Sequence, residues 1–492
     1  MTLFASSWES VDRHVAAPEW FQDAKFGIYH HWGAFSVPAF NSEWYPRAMY
    51  YPDGADRAHH VATYGDPETW PYHRFIEGGH DKAGRFVKFA PRLASAGGRF
   101  DPHEWAQLIA DAGARFAGPV AEHHDGFSMW DSRVNEWNSV AKGPGLNLLG
   151  LFAEAYREQG LKLLVAMHHA YHYTGYFEHV PPQPTPSLRK LYGQLSAQEH
   201  DRLWLDKLKE VIDLARPDVL YQDVNLDKID EAIRLEFPAY YYNRASEWDS
   251  EVVATYKDGL NDKGQVYDYE RGGPSDLAEP YWLTDDILTV DSWSYKPDLV
   301  YVSLEQILHS LIDRVSKNGG LLLNIAPTAE GVIPEEQRVL LLAIGDYLRR
   351  FGESIYDTRA WTVYGEGPTV MGGGSFTAPV AGTQKDIRFT RDKQGSVLYA
   401  TVLGWPGDRL TITTLATGRV DLSSLRAIEL IGPHAGAHIP LLDYRQDEAG
   451  LHVALPRSPP LIAPAYATRL TSDGPVPGHE GGVRRSPGGR AR

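Results

Sequence analysis

Two carboxylates and a set of paired histidines are the residues of this chain whose types and spacing could do chemistry. Asp223 closes the run Arg216-Pro217-Asp218-Val219-Leu220-Tyr221-Gln222-Asp223, and Glu270 closes Gln265 to Tyr269. Each acid ends a short apolar stretch too brief for a helix. Two acids facing one cleft can hydrolyse a glycosidic bond. One, ionised, attacks the anomeric carbon; the other, with a raised pKa, protonates the leaving oxygen. Asp223 alone would serve equally well as a loop cap, a common place for aspartate. Tyr269 and Arg271 flank Glu270, so burial would raise its pKa and the guanidinium would lower it. Glu279, just before Pro280-Tyr281-Trp282, is a rival acid. Glu43, beside Trp44, is better suited to gripping sugar hydroxyls.

Four doublets, His30/His31, His59/His60, His123/His124 and His168/His169, raise the question of a metal. Neighbours on a strand point to opposite faces, so at most one of each pair should face a shared site. The helical zinc pattern H-E-x-x-H is absent. No metal and no organic cofactor is therefore expected. One histidine at each of three strand ends is assigned instead to hydrogen-bonding hydroxyls.

The elements that must position these groups alternate along the chain. Between Glu199 and Ala215, Trp204, Leu208, Val211, Ile212 and Ala215 share one helical face, and Pro217 cannot continue that helix. Eight apolar runs read as strands: Phe26 to Tyr29, Phe116 to Ala121, Leu161 to Met167, the run ending at Asp223, Val252 to Thr255, Gln265 to Tyr269, Ile287 to Val290, and Leu321 to Ile325. Most end in a polar or aromatic cluster, where an α/β barrel carries its catalytic groups. Helices fit at Pro102 to Ala112, Leu149 to Gln159, Glu199 to Ala215, Lys228 to Glu236, Ser303 to Ser316 and Pro334 to Phe351. The fifth and sixth strands are too close for a crossover helix. The expected fold is an irregular (β/α)8-like, TIM-type barrel with helices missing on one side. Two long inserts, Tyr51 to Arg99 and Val180 to Ser187, should shape its pocket.

Beyond the barrel, residues 354–472 carry short strands at Ile387 to Thr390, Val397 to Val402, Leu410 to Thr413, Ala427 to Leu430 and Leu451 to Ala454, separated by turn residues. That regular spacing predicts a small antiparallel β-sandwich. Three regions follow: a barrel over 1–353, the sandwich over 354–472, and a Gly-, Pro- and Arg-rich tail over 473–492 expected to be disordered.

Bulk composition narrows the function classes. The 492 residues carry a net charge of −16, which disfavours a sequence-independent grip on nucleic acid or anionic lipid. There is no cysteine, hence no thiolate chemistry, and no apolar run long enough for a membrane span. The N-terminus lacks a basic-then-apolar leader, so a cytoplasmic location is expected. The 14 Trp, 27 Tyr and 20 His supply flat faces and polar tips of the kind that suit sugar rings.

At the level of whole motifs the chain resembles glycoside hydrolase family 29, the retaining α-L-fucosidases. The segments that carry the resemblance are KFGIYHHWGAFSVPAFNSEWYPRAMY (Lys25 to Tyr50), EHHDGFSMWDSRVNEWNSV (Glu122 to Val140), RPDVLYQD, YERG (Tyr269 to Gly272), YWLTDDILTVDSWSY (Tyr281 to Tyr295) and RVSKNGGLLLNIAPTAEG (Arg314 to Gly331). They run in order from about residue 18 to 410. The resemblance implies an exo-acting α-L-fucosidase with Asp223 as nucleophile and Glu270 as acid/base. It also implies that His31, Glu43, Trp44, His123 and His124 hold the sugar, with Trp44 and Trp293 against its methyl group. Its implied substrate is a fucosylated oligosaccharide or glycoconjugate; homo-oligomerisation is left open.

The chain departs from that pattern at three places. His168 and His169 stand where many relatives have a Tyr-Tyr pair, Lys257 where many have an arginine, and Asn147 where an aspartate is frequent. His168, His169 and Lys257 join the expected substrate-binding set, Lys257 as a point charge rather than a planar fork. Alternatives are a glycosidase for a related sugar of α-galactoside type, a barrel that binds sugar without turnover, and a metal-dependent hydrolase.

Overall fold

In the computed structural model, which describes residues 3–478, eight parallel strands form one sheet. They are β1 (Phe26–His30), β2 (Phe116–Glu122), β3 (Lys162–Met167), β4 (Val219–Gln222), β5 (Val253–Tyr256), β6 (Val266–Tyr267), β7 (Trp282–Ile287) and β8 (Gly319–Ile325). The order runs from β6 back to β1, then β8 and β7, and a parallel bridge from Asp268 to Leu283 closes the barrel. Nearly every strand residue is buried, because helices cover the outer face and side chains fill the inner one.

Six helices belong to this frame: α1 (Pro102–Asp111), α2 (Leu148–Glu158), α3 (Ala197–Ala215), α4 (Glu231–Glu247), α5 (Leu304–Ser316) and α6 (Glu335–Phe351). α3 starts with a reciprocal cap between Ser196 and Glu199 and stops where Arg216 turns left-handed before Pro217. Neither the β5–β6 nor the β6–β7 connection contains a helix, so the barrel is bare of helices on that side.

Two elements differ from the sequence expectation. α4 runs on through Pro238 to Glu247 rather than ending at Glu236. The missing proline N–H is tolerated because Phe237, Tyr241, Tyr242 and Ala245 are buried on this helix. The seventh strand is Trp282–Ile287, not Ile287 to Val290. Its middle reads Thr284-Asp285-Asp286, which hides it from a search for apolar runs. Both acids are paired, one on each face: Asp285 points into the barrel and Asp286 points out to Arg314, 2.8 Å away.

Inside the barrel the strands build layers. Tyr29, Val120, Leu164, Val219, Tyr221, Val253, Val266, Leu283 and Leu322 belong to one interior cluster. Phe21 and Ala24, from a short helix before β1, close its lower end against Phe116 and Tyr281. The interior is therefore solid below, and the polar groups collect at the strands' C-terminal ends.

The remainder is antiparallel. One sheet has the order β9-β10-β11-β17-β13-β14: β9 (Arg359–Glu366), β10 (Ile387–Arg391), β11 (Val397–Val402), β13 (Leu425–Ile431), β14 (His438–Pro440) and β17 (Tyr466–Ser472). The other, β12-β16-β15, comprises β12 (Arg409–Ile412), β15 (Tyr444–Asp447) and β16 (Gly450–Ala454). Phe389, Leu398, Ile412, Leu430, Leu451 and Leu470 fill the space between them. The tail expected from residue 473 is ordered at its start: Val476 is buried and its N–H donates to the Gly395 carbonyl at 2.8 Å. An apolar residue that reaches the sandwich edge packs there whatever the composition around it. The rest of that expected tail, 479–492, lies outside the described residues. Among those described, no helix is long and apolar enough to cross a membrane.

Candidate active site

β4 ends at Gln222 and Asp223 follows immediately, buried at the barrel mouth. Lys257, one residue beyond β5, places its ammonium 2.9 Å from Asp223 Oδ1. The same ammonium lies 2.9 Å from Glu270 Oε2, 3.3 Å from Asp285 and 3.9 Å from Asp268. One cation thus faces four carboxyl groups. The nearest oxygens of Asp223 and Glu270 can be no further apart than twice 2.9 Å. That bound is compatible with the about 5–5.5 Å of a retaining glycosidase pair.

The two acids are driven in opposite directions. Burial pushes Asp223 up, but the Lys257 charge, with a hydrogen bond to His124, holds it well below the usual carboxylate range. Burial also raises Glu270; Asp285 and Asp223 add to the rise and Lys257 only partly offsets it. The two carboxyls are thus shifted in opposite directions, the pattern by which neighbouring acids take different roles.

On the opposite wall the groups are imidazoles. His31 is fixed by Asn324, whose Oδ1 accepts from the His31 backbone N–H at 3.0 Å and lies 2.8 Å from Nδ1. His123 and His168 bring their rings 5.5 and 5.2 Å from that of His31. Burial lowers His31 to about 4, and His123 and His168 well below the usual histidine range. All three are neutral, and His123 Nδ1 and His168 Nε2 are buried with no protein partner. His124 spans from the His168 carbonyl to Asp223 Oδ2, 3.3 Å away.

A third side is aromatic. Trp44 lies 5.3 Å from His124, and Trp293 5.2 Å from His31. Glu43 Oε2 accepts from the Trp293 N–H at 3.0 Å, and Asn324 donates to the Trp293 carbonyl at 2.7 Å. These bonds tie the Trp293 backbone to Glu43, the neighbour of Trp44, and to Asn324 near the end of β8. Nitrogens of His31, His123 and His168 lie within 4.8 Å of one another, as do ligand atoms of His124, His168 and Asp223, so the same groups could also meet a transition-metal ion.

Against known proteins, residues 2–353 match the family model for α-L-fucosidase. The chain belongs to the α-L-fucosidase family. It is a glycoside hydrolase, and the carboxyl spacing accords with the retaining mechanism of that family. Rat tissue α-L-fucosidase is 28% identical over 487 residues, covering 95% of this chain and 92% of the rat protein. The human tissue enzyme is also 28% identical, over 94% of this chain and 90% of its own. The crystal structure of Thermotoga maritima α-fucosidase in complex with fucose superposes with a TM-score of 0.73 at 27% identity, covering 95% of this chain and 99% of that one.

Within this fucosidase most of the expected site residues converge, and the exceptions have physical causes. His169 does not face the pocket: its ring stacks on Trp204 of α3 and its Nε2 lies 3.0 Å from the Trp204 carbonyl. Strand alternation sends it outward, as it sends His30 to Tyr156. The expectation of one histidine per doublet fails at His123/His124, where both serve the pocket. β2 bulges between Val120 and Glu122, which turns Glu122 out to Lys207, and the chain beyond the bulge does not keep the alternation. His59/His60 lies away from the pocket, packed with Tyr45, Tyr64 and Trp70. Glu279 is exposed just before β7, at the N-terminal end of the strand and remote from the mouth. Asn147 caps α2 by accepting from the Gly150 N–H.

The expected set lacked a polar layer one step below the site. Tyr29, Tyr221, Thr255 and Asp268 sit two residues before His31, Asp223, Lys257 and Glu270, hence on the same inward face. Asp285 completes that layer: its Oδ2 accepts from Tyr29 at 2.8 Å, from Tyr221 at 2.9 Å and from Lys257 at 3.3 Å. Burial and the adjoining Asp285 push Asp268 well above the usual carboxylate range. The period-2 step back from each strand-end residue was the available signal for four of the five. Asp285 had none, because its strand was not visible.

Proposed function

We propose that this enzyme removes terminal α-L-fucosyl residues from fucosylated oligosaccharides or glycoconjugates by double displacement, with Asp223 as nucleophile and Glu270 as acid/base. In the first step an Asp223 oxygen bonds to the anomeric carbon as the bond to the leaving oxygen breaks and Glu270 passes that oxygen its proton. In the second, Glu270 takes a proton from water, the water oxygen attacks the anomeric carbon, and the bond to Asp223 breaks to release fucose. His31, His123, His124, His168 and Glu43 bind the ring hydroxyls. Trp44 and Trp293 provide the apolar side. Lys257 stands between the two acids, above the layer of Thr255 and Asp285, and keeps the nucleophile charged.

The observation that supports this reading is the single ammonium shared at 2.9 Å by both acids, which holds them close together while their protonation tendencies diverge. The test is hydrolysis of 4-nitrophenyl α-L-fucoside by wild type and Asp223→Ala, with azide as a rescue nucleophile. The variant should lose on the order of 10⁴-fold or more in kcat, and azide should restore turnover to yield β-fucosyl azide. An Asp223→Ala enzyme that keeps wild-type activity would assign the nucleophile elsewhere.

A further inference from the structure

The helix-free side of the barrel is not left open, because the sandwich reaches back to cover it. The connection between β9 and β10 leaves the sandwich at Thr369 and returns at Thr383. It is pinched at its base by Asp386, which accepts from the N–H groups of both at 2.7 Å. Its tip lies along the segment that carries the acid/base. Gly273 and Gly374 pair as an antiparallel bridge, the Thr377 N–H donates to the Arg271 carbonyl at 2.7 Å, and the Phe376 N–H donates to the Glu270 carbonyl at 2.7 Å. The approach is so close that a Cβ on Gly272 would meet the Gly374 carbonyl oxygen at 2.0 Å.

Phe376 is the odd residue in that tip. It is 70% exposed, although its backbone is bonded to the residue that protonates the leaving group. Its φ is +58°, a left-handed conformation that glycine adopts freely and phenylalanine does not. Three glycines precede it within four residues, yet the strained position itself holds an aromatic ring. Val290 lies on the other side of Arg271, 50% exposed, with its carbonyl accepting from Arg271 Nη2 at 3.0 Å. Two exposed apolar side chains therefore bracket the segment that follows Glu270. Strain of this kind persists where the surroundings impose it and is concentrated at sites of function.

We propose that Phe376, supplied by the sandwich, is the platform for the sugar ring that carries the fucose: its face takes the apolar C–H side of the leaving hexose while Glu270 protonates the bridging oxygen. The proposal rests on the α-L-fucosidase reading with Glu270 as acid/base. The loop is held at base and tip, so the ring is presented without an ordering cost on binding. The sandwich then contributes to substrate choice and does more than brace the barrel.

The experiment compares wild type, Phe376→Ala and Phe376→Tyr on methyl α-L-fucoside and on a panel of α-L-fucosyl disaccharides. Methyl fucoside needs the same proton from Glu270 but offers no ring to stack. Phe376→Ala should lower kcat/KM on the best disaccharide by about tenfold, the scale of one lost ring contact. It should leave methyl fucoside within roughly twofold of wild type, and Phe376→Tyr should keep both activities. An equal loss on both substrates would mean that the loop only positions Glu270, and no loss on either would mean that the ring is idle; either result overturns the proposal. A wild-type enzyme inert towards every fucoside, 4-nitrophenyl fucoside included, would remove the underlying fucosidase reading instead.

Discussion

The two walls of the pocket are built on opposite plans. The wall formed by β1, β2 and β3 is backed by helices and lined by imidazoles that burial keeps neutral. The wall formed by β4 to β7 has no helix in its β5–β6 and β6–β7 connections, and it gathers four carboxyl groups around one lysine. A neutral wall can hydrogen-bond hydroxyls in either direction without perturbing the charges opposite. A charged wall can hold one acid ionised and its neighbour protonated a few ångströms away. On the proposed roles, binding and chemistry are separated by side of the barrel, and the experiments that follow try to break that separation.

Lys257→Met strikes the charged wall at its centre and should have the largest effect. It leaves buried carboxylates without a counter-ion, a change that typically costs about 3–5 kcal/mol of stability. Activity should fall about a hundredfold or more, as when a preorganised electrostatic group is removed. The direction of the pH change is the sharper readout. Lys257 lowers both Asp223 and Glu270, so its removal lets both rise. The acid limb of kcat/KM, which needs Asp223 ionised, and the alkaline limb, which needs Glu270 protonated, should both move to higher pH. Lys257→Arg keeps the charge and should keep the limbs. A Met variant that is less active with an unmoved profile would reduce Lys257 to packing.

The neutral wall is tested by one doublet. His168 faces the site, with Nδ1 3.6 Å from Asp223, whereas His169 packs on Trp204. His168→Ala should raise KM about tenfold through a lost hydrogen bond in a buried site. His169→Ala should leave KM unchanged while lowering stability by about 1–3 kcal/mol, because a buried ring that packs on Trp204 is removed. Michaelis constants and denaturant midpoints for the pair decide it, and equal effects on KM would erase the distinction between the two faces of β3.

How much of this was legible in the sequence follows from which signals survive in it. The barrel, its missing helices and the strand-end acids were visible, because buried parallel strands are apolar runs and Pro217 marks where one begins. β7 was not: Asp285 and Asp286 interrupt it, and they are tolerable only because the fold supplies Lys257 and Arg314. Strands β9, β14, β15 and β17 were missed as well: β14 and β15 are short edge strands with no apolar run, and β9 and β17 interleave polar residues with their buried ones. The same limit explains His169, where identical neighbours receive opposite fates from strand alternation, and the bulge in β2 that spares His123 and His124 from it. Lys257 was flagged as a departure from the family pattern. Its four carboxyl neighbours come from three strands, β4, β6 and β7, and only the closed barrel brings them together.

The smallest effect sharpens the comparison most, because it asks to which wall Glu43 belongs. Its carboxyl is a charge by type, yet it sits across from Glu270, and burial raises it to about 7, against the pull of the backbone N–H groups it accepts from. A carboxyl whose folded pKa lies above its unfolded value contributes stability that is complete below the unfolded pKa and is lost as pH rises through the folded one. Wild type should therefore weaken between about pH 4.5 and 8, by up to about 3 kcal/mol from this group alone. Glu43→Gln keeps an acceptor for the Trp293 N–H and a donor for a hydroxyl, and it cannot ionise. Melting temperatures of the two proteins should differ little at pH 4.5, with the variant the higher at pH 8, and their KM values should be close at pH 5. If the difference in melting temperature is flat across that range, Glu43 is ionised throughout and belongs with the charged wall. If it opens as described, Glu43 works as a neutral hydrogen-bonding group, and the binding side of the pocket carries no charge where the sugar sits.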